Sequence, residues 1–178
     1  RATLDQADEL TAEITVFAPD GTPAASTYAA IRAGKIDARL TIPSPQHWQP
    51  DHPVCYTAEI SLKADDGIQA RVRRTFAFRA LSRQGEQLLL NGQPIFLRGV
   101  LNWGWYPEIL CPAPDETTIR DEFRRIREYG YNMVKLCLYV PSPLYFEIAD
   151  EEGIARRATH QGFNVAESGD SGRVARIG

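Results

Sequence analysis

The sequence predicts a multi-domain chain of the all-β plus α/β class: an immunoglobulin-like β-sandwich followed by a parallel α/β segment. Three observations carry that expectation. Up to about Phe78, short alternating strands are separated by turn residues without helical periodicity. Beyond Arg79 the order becomes strand, helix, strand, helix, with apolar strands and an amphipathic helix. Between the first of those strands and the first helix stands a cluster of flat rings, Trp103, Trp105 and Tyr106, preceded by the amide of Asn102. In a parallel α/β barrel the carboxyl ends of strands are where ligands bind, so the cluster reads as scaffold leading into a site.

The first half divides at its turns. Ile14, Val16 and Ala18 alternate before Pro19-Asp20-Gly21-Thr22, where Pro presets φ and Gly accepts left-handed values. Strands over Tyr28 to Ala33 and Ile36 to Ile42 flank Gly34-Lys35. After a Pro-rich corner, Val54 to Ala64 and Ile68 to Phe78 flank Asp65-Asp66-Gly67, a further hairpin signal. The run Arg71-Val72-Arg73-Arg74 is short and lies in a strand, which makes it a solvated strand face.

The second half opens with Asn91-Gly92, the strongest short-range hairpin signal, because both residues tolerate positive φ. An apolar strand over Pro94 to Val100 follows. Asp115 to Gly130 carries Ile119, Phe123 and Ile126 at helical spacing, with Asp121, Arg124, Arg125 and Glu128 on the other side. Asp115 or Thr117 caps its start, and Gly130 suits the left-handed residue that closes it. Met133 to Val140 reads as a strand buried on both faces. Ser142-Pro143 opens a second helix with Leu144, Tyr145, Ile148 and Ala149, stopped by Gly153. Residues 155–178 contain no apolar run of four, so an irregular or disordered tail is expected.

Composition narrows the function classes. The 178 residues are 43% hydrophobic, enough for a globular core, and the formal net charge of -3 spreads over mixed acids and bases. No nucleic-acid partner is therefore expected. No apolar run approaches the roughly 20 residues of a membrane helix, so no membrane partner is expected either. Cys55, Cys111 and Cys137 stand apart without CxxC spacing, and His47, His52 and His160 are scattered. That pattern argues against a metal site and against a disulfide framework. Cys55 and Cys137 read as small buried hydrophobes and Cys111 as a loop residue. The chain opens on Arg1 and its one methionine is Met133, so it reads as a processed or excised piece.

Five motifs together resemble glycoside hydrolase family 2. His47-Trp48-Gln49-Pro50-Asp51-His52-Pro53-Val54-Cys55-Tyr56 is similar to the W-x-P-x-x-P-x-x-Y signature of that family's immunoglobulin-like domain. Phe76-Ala77-Phe78-Arg79 resembles the F-G-F-R link, and Leu89 to Val100 the L-N-G-x-P-x-x-L-R-G-V strand that opens the catalytic domain. Gly130 to Lys135 resembles G-x-N-x-V-R, and Tyr145 to Ile154 resembles the F-Y-E-L-x-D-E-x-G-I helix. The motifs occur in the family's order from Ala12 to about Ile154.

The resemblance implies a retaining exo-acting β-glycosidase of the β-galactosidase, β-glucuronidase and β-mannosidase group. It assigns 1–78 to the sandwich, 79–154 to the first two strand-helix units of a TIM (β/α)8 barrel, and 155–178 to the tail. Such an enzyme needs two carboxyl groups about 5 Å apart, one attacking the anomeric carbon and one serving as acid and base. In the family both are glutamates on later strands, the acid/base one in an Asn-Glu pair. This chain has no Asn-Glu pair, so no catalytic residue is expected within it. Glu108 is the best-placed acid, though a lone loop Glu is ordinarily solvated surface. Asp150, Glu151 and Glu152 crowd a helix C-terminus against its dipole, and the motif accounts for Asp150 and one Glu as fold-supporting.

The expected partner is a β-linked carbohydrate, with no cofactor and no metal. Candidate substrate-binding residues are Asn102, Trp103, Trp105, Tyr106, Arg98, Lys135 and Tyr139. The rings offer an apolar platform to the C–H face of a sugar, or else pack the barrel mouth against a neighbour. Asn102 can donate to and accept from hydroxyls. Arg98 needs a partner on its apolar strand, by ion pair or hydrogen bond. Lys135 stands where the family has arginine, and lacks the bidentate fork. Tyr139 lines the pocket or caps the core. After the R-G-V motif the chain reads Leu101-Asn102-Trp103, nearer the mannosidase-like N-W than the galactosidase N-R-H-E, so the sugar does not transfer. An open sheet edge predicts self-association of the isolated chain. The competing class is a non-catalytic immunoglobulin-like module binding carbohydrate or protein.

Overall fold

The computed structural model describes residues 11–32, 35–64, 67–107 and 114–158. Glu108, Cys111, His160, Gly34, Asp65, Asp66 and the tail from 159 lie outside the described residues. The chain divides into two compact units. Among the described residues, those up to Pro45 and Tyr56–Phe76 form one, and Gln46–Cys55 and those from 77 to 158 form the other. The segment around Trp48 thus belongs with the second unit, whereas the sequence places a single boundary at 78/79.

The first unit is an antiparallel β structure, and its described residues hold one sheet of order β3-β2-β1-β4-β5. Its strands are β1 (Thr11–Phe17), β2 (Pro23–Arg32), β3 (Lys35–Ile36), β4 (Tyr56–Ala64) and β5 (Gly67–Phe76). The expected strand to Ile42 stops at Ile36. Period-two alternation decides the faces. Ala12, Ile14 and Val16 of β1 are buried with Tyr56 and Ala58 of β4, and Ile14 lies opposite Ile60. The other face carries paired charge. Glu59 meets Arg71 at 3.4 Å and Arg73 at 2.6 Å, and Glu13 meets Lys63 at 2.6 Å. Arg71 and Arg73 form a charged strand face around Glu59, whereas Arg74 stands opposite Ala58 on the other face, and arginines on β5, the edge of the described sheet, discourage pairing with another chain.

The second unit begins with a meander of β6 (Leu81–Gln84), β7 (Gln87–Leu90) and β8 (Gln93–Pro94). Asn91 and Gly92 both take positive φ, 53° and 79°, as the two-residue turn requires. The Asn91 side chain also donates to the Trp48 carbonyl and accepts from the Ala80 N–H, each at 2.9 Å. The apolar run over Pro94 to Val100 is not one strand. It splits into β8 and β9 (Gly99–Asn102), because Ile95 closes the hairpin on Leu88 while Arg98 begins the contacts to Asn132 and Met133.

A parallel sheet of order β11-β10-β9 follows, built from β9, β10 (Met133–Leu136) and β11 (Ala155–Ala158). β10 is half the expected length, since Leu138 turns to φ 61° just past it. β11 is a strand without an apolar run. Its backbone pairs with β10 from Met133–Ala155 to Leu136–Ala158, and that ladder supplies what the sequence pattern does not show.

Helices α1 (Glu116–Glu128) and α2 (Pro143–Glu151) connect the strands. Asp115 caps α1, accepting from the Thr118 N–H at 2.8 Å, and these helix-start bonds hold its carboxyl below the usual range. Ile119, Phe123, Val134, Leu136, Tyr145, Ile148, Ala149 and Ile154 form one buried cluster. Burying a side chain such as Ile119 or Phe123 stabilises by about 1.5–3 kcal/mol. Phe123 meets Tyr145 edge to face at 4.8 Å between ring centres. Val134 and Leu136 point to the helices, so by alternation Leu101 and Lys135 occupy the opposite, uncovered face, where both are exposed.

Candidate functional site

The carboxyl ends of β9 and β10 bring most of the expected site residues together. Asn102 closes β9 opposite Leu136, and its carbonyl accepts from the Cys137 N–H at 2.9 Å. Its side chain turns toward the helices. The Asn102 Oδ1 accepts from the Gly104 N–H at 2.6 Å, folding the next residues back over the strand end. Its Nδ2 donates to Glu122 Oε1 at 2.6 Å and to the Tyr145 hydroxyl at 3.0 Å. Both amide hydrogens are thereby engaged within the protein. Asn102 is an anchor in this geometry, unlike the free sugar-hydroxyl partner the sequence suggests.

Glu122 is the centre of the network. Besides Asn102, it accepts from the Tyr145 hydroxyl at 2.8 Å on Oε1 and from the Tyr106 hydroxyl at 2.7 Å on Oε2. Charge-assisted bonds of this kind are stronger than neutral ones. Three donors converge on its two oxygens and fix the carboxylate in place. The pairing also raises the phenols. Burial and then the bond to Glu122 push the Tyr106 hydroxyl above its ordinary range, and burial and then the Glu122 charge do the same to Tyr145.

Tyr139 lies against the same network. Its ring packs where a Cβ on Gly104 would stand, 2.8 Å away, and Gly104 itself takes φ 70°. Only glycine satisfies both the backbone and the close approach. The Tyr139 hydroxyl is buried without a well-formed hydrogen bond among the described residues. Burial and the Glu122 charge push it up to about 12.

Trp103 and Trp105 project from the folded-back loop, 49% and 79% exposed. Both line a cleft of about 1100 Å³ together with Leu101, Asn102, Tyr106 and Glu122. Arg98 is not with them. It stands at the amino end of the sheet, donating to the Gly130 carbonyl and lining a separate cleft of about 330 Å³ with Arg127 and Asn132. Lys135 lies on the uncovered face, in register with Leu101.

The acids of α2 find partners far away in sequence. Asp150, 5% exposed, accepts from Arg79 at 2.7 Å and also pairs with Arg156. Its backbone carbonyl accepts from the Trp48 indole at 2.7 Å, and Arg79 stacks on that indole with its guanidinium carbon 4.9 Å from the ring centre. Glu151 and Glu152 both meet Arg120, at 2.7 and 3.0 Å. Cys55 beside them is a free thiol pushed up to about 11, by burial first and by the Asp150 and Glu151 charges next. Among the described residues no group of three His, Cys, Asp or Glu side chains is placed to hold a metal, and no helix is long and apolar enough to cross a membrane.

Glu122 was not among the residues singled out by the sequence. Its position carried a signal: it follows Ile119 by three and precedes Ile126 by four, so an acid occupies the apolar stripe of α1. Tyr145, also in the network, belongs to the second helix in the sequence reading, and its ring lies in the buried cluster.

Known proteins that match this chain include glycosidases. Residues 1–79 match the family model described as Glycosyl hydrolases family 2. The β-galactosidase of Vibrio cholerae serotype O1 is 31% identical over 121 residues, which are 67% of this chain and 12% of that protein. The β-galactosidase of Alteromonas mediterranea is 28% identical over 65% of this chain and 11% of its own length. The chain therefore spans about a tenth of these relatives. Among solved structures, β-glucuronidase from Parabacteroides merdae aligns with a TM-score of 0.74 and 24% identity, covering 87% of this chain and 20% of that one. Bifidobacterium dentium β-glucuronidase, complexed with coumarin-3-O-glucuronide, aligns at 0.75 with 22% identity, over 84% of this chain and 24% of that one. The chain belongs to glycosyl hydrolases family 2.

Proposed function

We propose that the chain is the junction of a retaining exo-β-glycosidase, carrying an immunoglobulin-like sandwich in 1–78 and opening a (β/α)8 barrel in 79–154. In this reading the catalytic glutamates come from residues outside the chain. Trp103 and Trp105, with Tyr139 beneath their loop, border the sugar site, and the other face of β9 and β10 becomes the barrel interior. One observation carries the reading: a parallel sheet with both helices on one face and exposed aromatic residues at its carboxyl end, in a member of family 2. The Glu122 and Asp150 carboxylates are occupied by structural partners, which supports a catalytic pair elsewhere.

Relatives named for galactosides and glucuronides make a substrate panel the natural test. Chromogenic β-galactoside, β-glucuronide and β-mannoside are offered to the longer protein that continues this sequence and to the 178-residue chain. The proposal expects hydrolysis by the first and none by the second. Hydrolysis by the chain alone, or sugar binding without hydrolysis by the longer protein, would overturn it. β9 and β11 are edge strands, which supports self-association of the isolated chain, and a monodisperse monomer in light scattering would count against that part.

A further inference from the structure

We infer that Glu122 is a positioning residue that staples both ends of the 102–106 segment carrying Trp103 and Trp105. The inference rests on the glycosidase reading for its substrate, and on geometry alone for the staple. The loop starts at Asn102, whose amide donates to Glu122 Oε1 at 2.6 Å. The second anchor is Tyr106, whose hydroxyl donates to Oε2 at 2.7 Å. Only residues 103–105 lie between the anchors, and 103–106 belong to no helix or strand. One carboxylate thus holds both ends of a segment that no ladder orders.

The staple is itself fixed from the second helix. Tyr145, 0% exposed, donates to Oε1 at 2.8 Å and packs edge-on against Phe123, the residue next to Glu122. All three partners are donors, so the position calls for an acceptor on each arm. A carboxylate provides that. A glutamine provides one acceptor only, and its amide nitrogen cannot accept from Tyr106 or Asn102. Glu122→Gln therefore removes the charge from both arms at nearly unchanged volume, leaving Tyr106 at best a reversed, neutral bond from the amide, and Tyr106→Phe removes the Oε2 arm outright.

The test has two parts. In the 178-residue chain, time-resolved fluorescence anisotropy is measured with Trp103→Phe and Trp105→Phe backgrounds to assign the signals, and Trp48, which is buried, serves as internal reference. Glu122→Gln and Tyr106→Phe are each expected to increase the fast nanosecond component of the loop tryptophans and leave that of Trp48 alone. In the longer protein the same variants are expected to raise KM about fivefold while kcat stays within about twofold, the pattern of lost uniform binding. The double variant should add little to Tyr106→Phe alone at the Oε2 arm, since both act on one contact.

A stability loss with unchanged tryptophan motion and unchanged KM overturns the staple and leaves the glycosidase reading intact. Mobile tryptophans in a longer protein that hydrolyses none of the panel overturn the glycosidase reading and leave the staple standing. If Glu122→Gln does not fold, Tyr106→Phe carries the same two measurements.

Discussion

The two ends of the parallel sheet use polar groups in opposite ways. At the amino end, charges are spent on the protein itself. Arg98 holds the Gly130 carbonyl, Arg127 the carbonyls of Pro50 and Glu152, and Asp150 sits between Arg79 and Arg156 with Trp48 bonded to its backbone. At the carboxyl end the polar network gathers around the single carboxylate of Glu122. Large apolar side chains face solvent at both ends, Phe96 at 77% and Tyr129 at 81% on the amino side, but among the described residues only at the carboxyl end do two tryptophans share one loop and a leucine take positive φ. Trp105 is 79% exposed and Leu138 is 74% exposed at φ 61°, a backbone region that non-glycine residues enter at a cost. The contrast separates an end held by ion pairs and carbonyl contacts from an end where a tryptophan loop and the strained Leu138 backbone have no such stabilising role. That is the division expected of a barrel with its site at the carboxyl face.

The sharpest way to break the comparison is at Asp150. Asp150→Ala leaves Arg79 and Arg156 without their shared buried carboxylate, and the expected loss is about 3–5 kcal/mol in urea unfolding. A loss under about 1 kcal/mol would mean the amino end is not the stabilising one. Gly104→Ala comes next, at about 1–3 kcal/mol, because the left-handed backbone is strained and the new methyl meets the Tyr139 ring. Thermal unfolding of the variant checks it, and an unchanged Tm would contradict the packing described. Trp105→Ala should change stability by no more than about 0.5 kcal/mol, as for other exposed sites, while weakening sugar binding in the longer protein. Equal losses at Trp105 and Asp150 would erase the distinction between the ends.

Alkaline titration sharpens the same contrast. The Tyr139 hydroxyl is raised from 10.0 to about 12, so its neutral form is favoured in the folded state. Its contribution to stability is complete below about pH 10 and is lost as pH rises through 12, because the unfolded chain ionises first. Absorbance near 295 nm, with Tyr139→Phe as the difference standard, should place that phenol's titration near 12; titration near 10 would show an open network. At the other end, the Cys55 thiol near 11 stays protonated at pH 8 and should alkylate slowly until the chain unfolds, as peptide mapping would read.

What the sequence revealed divides along physical range. The α1 cap at Asp115, the Asn91-Gly92 turn and the apolar faces of α1 and β1 rest on neighbours a few residues apart, and each was legible. The crowded acids of α2 made no local sense, because their partners Arg79 and Arg120 are brought in by the fold. Strand limits failed where a tertiary turn overrode an apolar run, at Ile95 to Arg98 and at Leu138. The candidate site was half legible. The aromatic residues announced themselves by type, whereas Arg98 had been grouped with them although it marks the opposite end of β9. Glu122 was hidden because a polar residue in an apolar stripe acquires meaning only when its three donors are in place.

In the proposed function this chain shapes the sugar site and the cutting carboxylates lie elsewhere. A 2-deoxy-2-fluoro glycoside that traps the glycosyl-enzyme intermediate tests it most directly. The longer protein is inactivated with the fluoro-sugar matching its active substrate, digested, and the labelled peptide sequenced by mass spectrometry. The account predicts a single labelled glutamate outside the 178 residues. A label on Glu122, Glu108 or any other acid of this chain would contradict it.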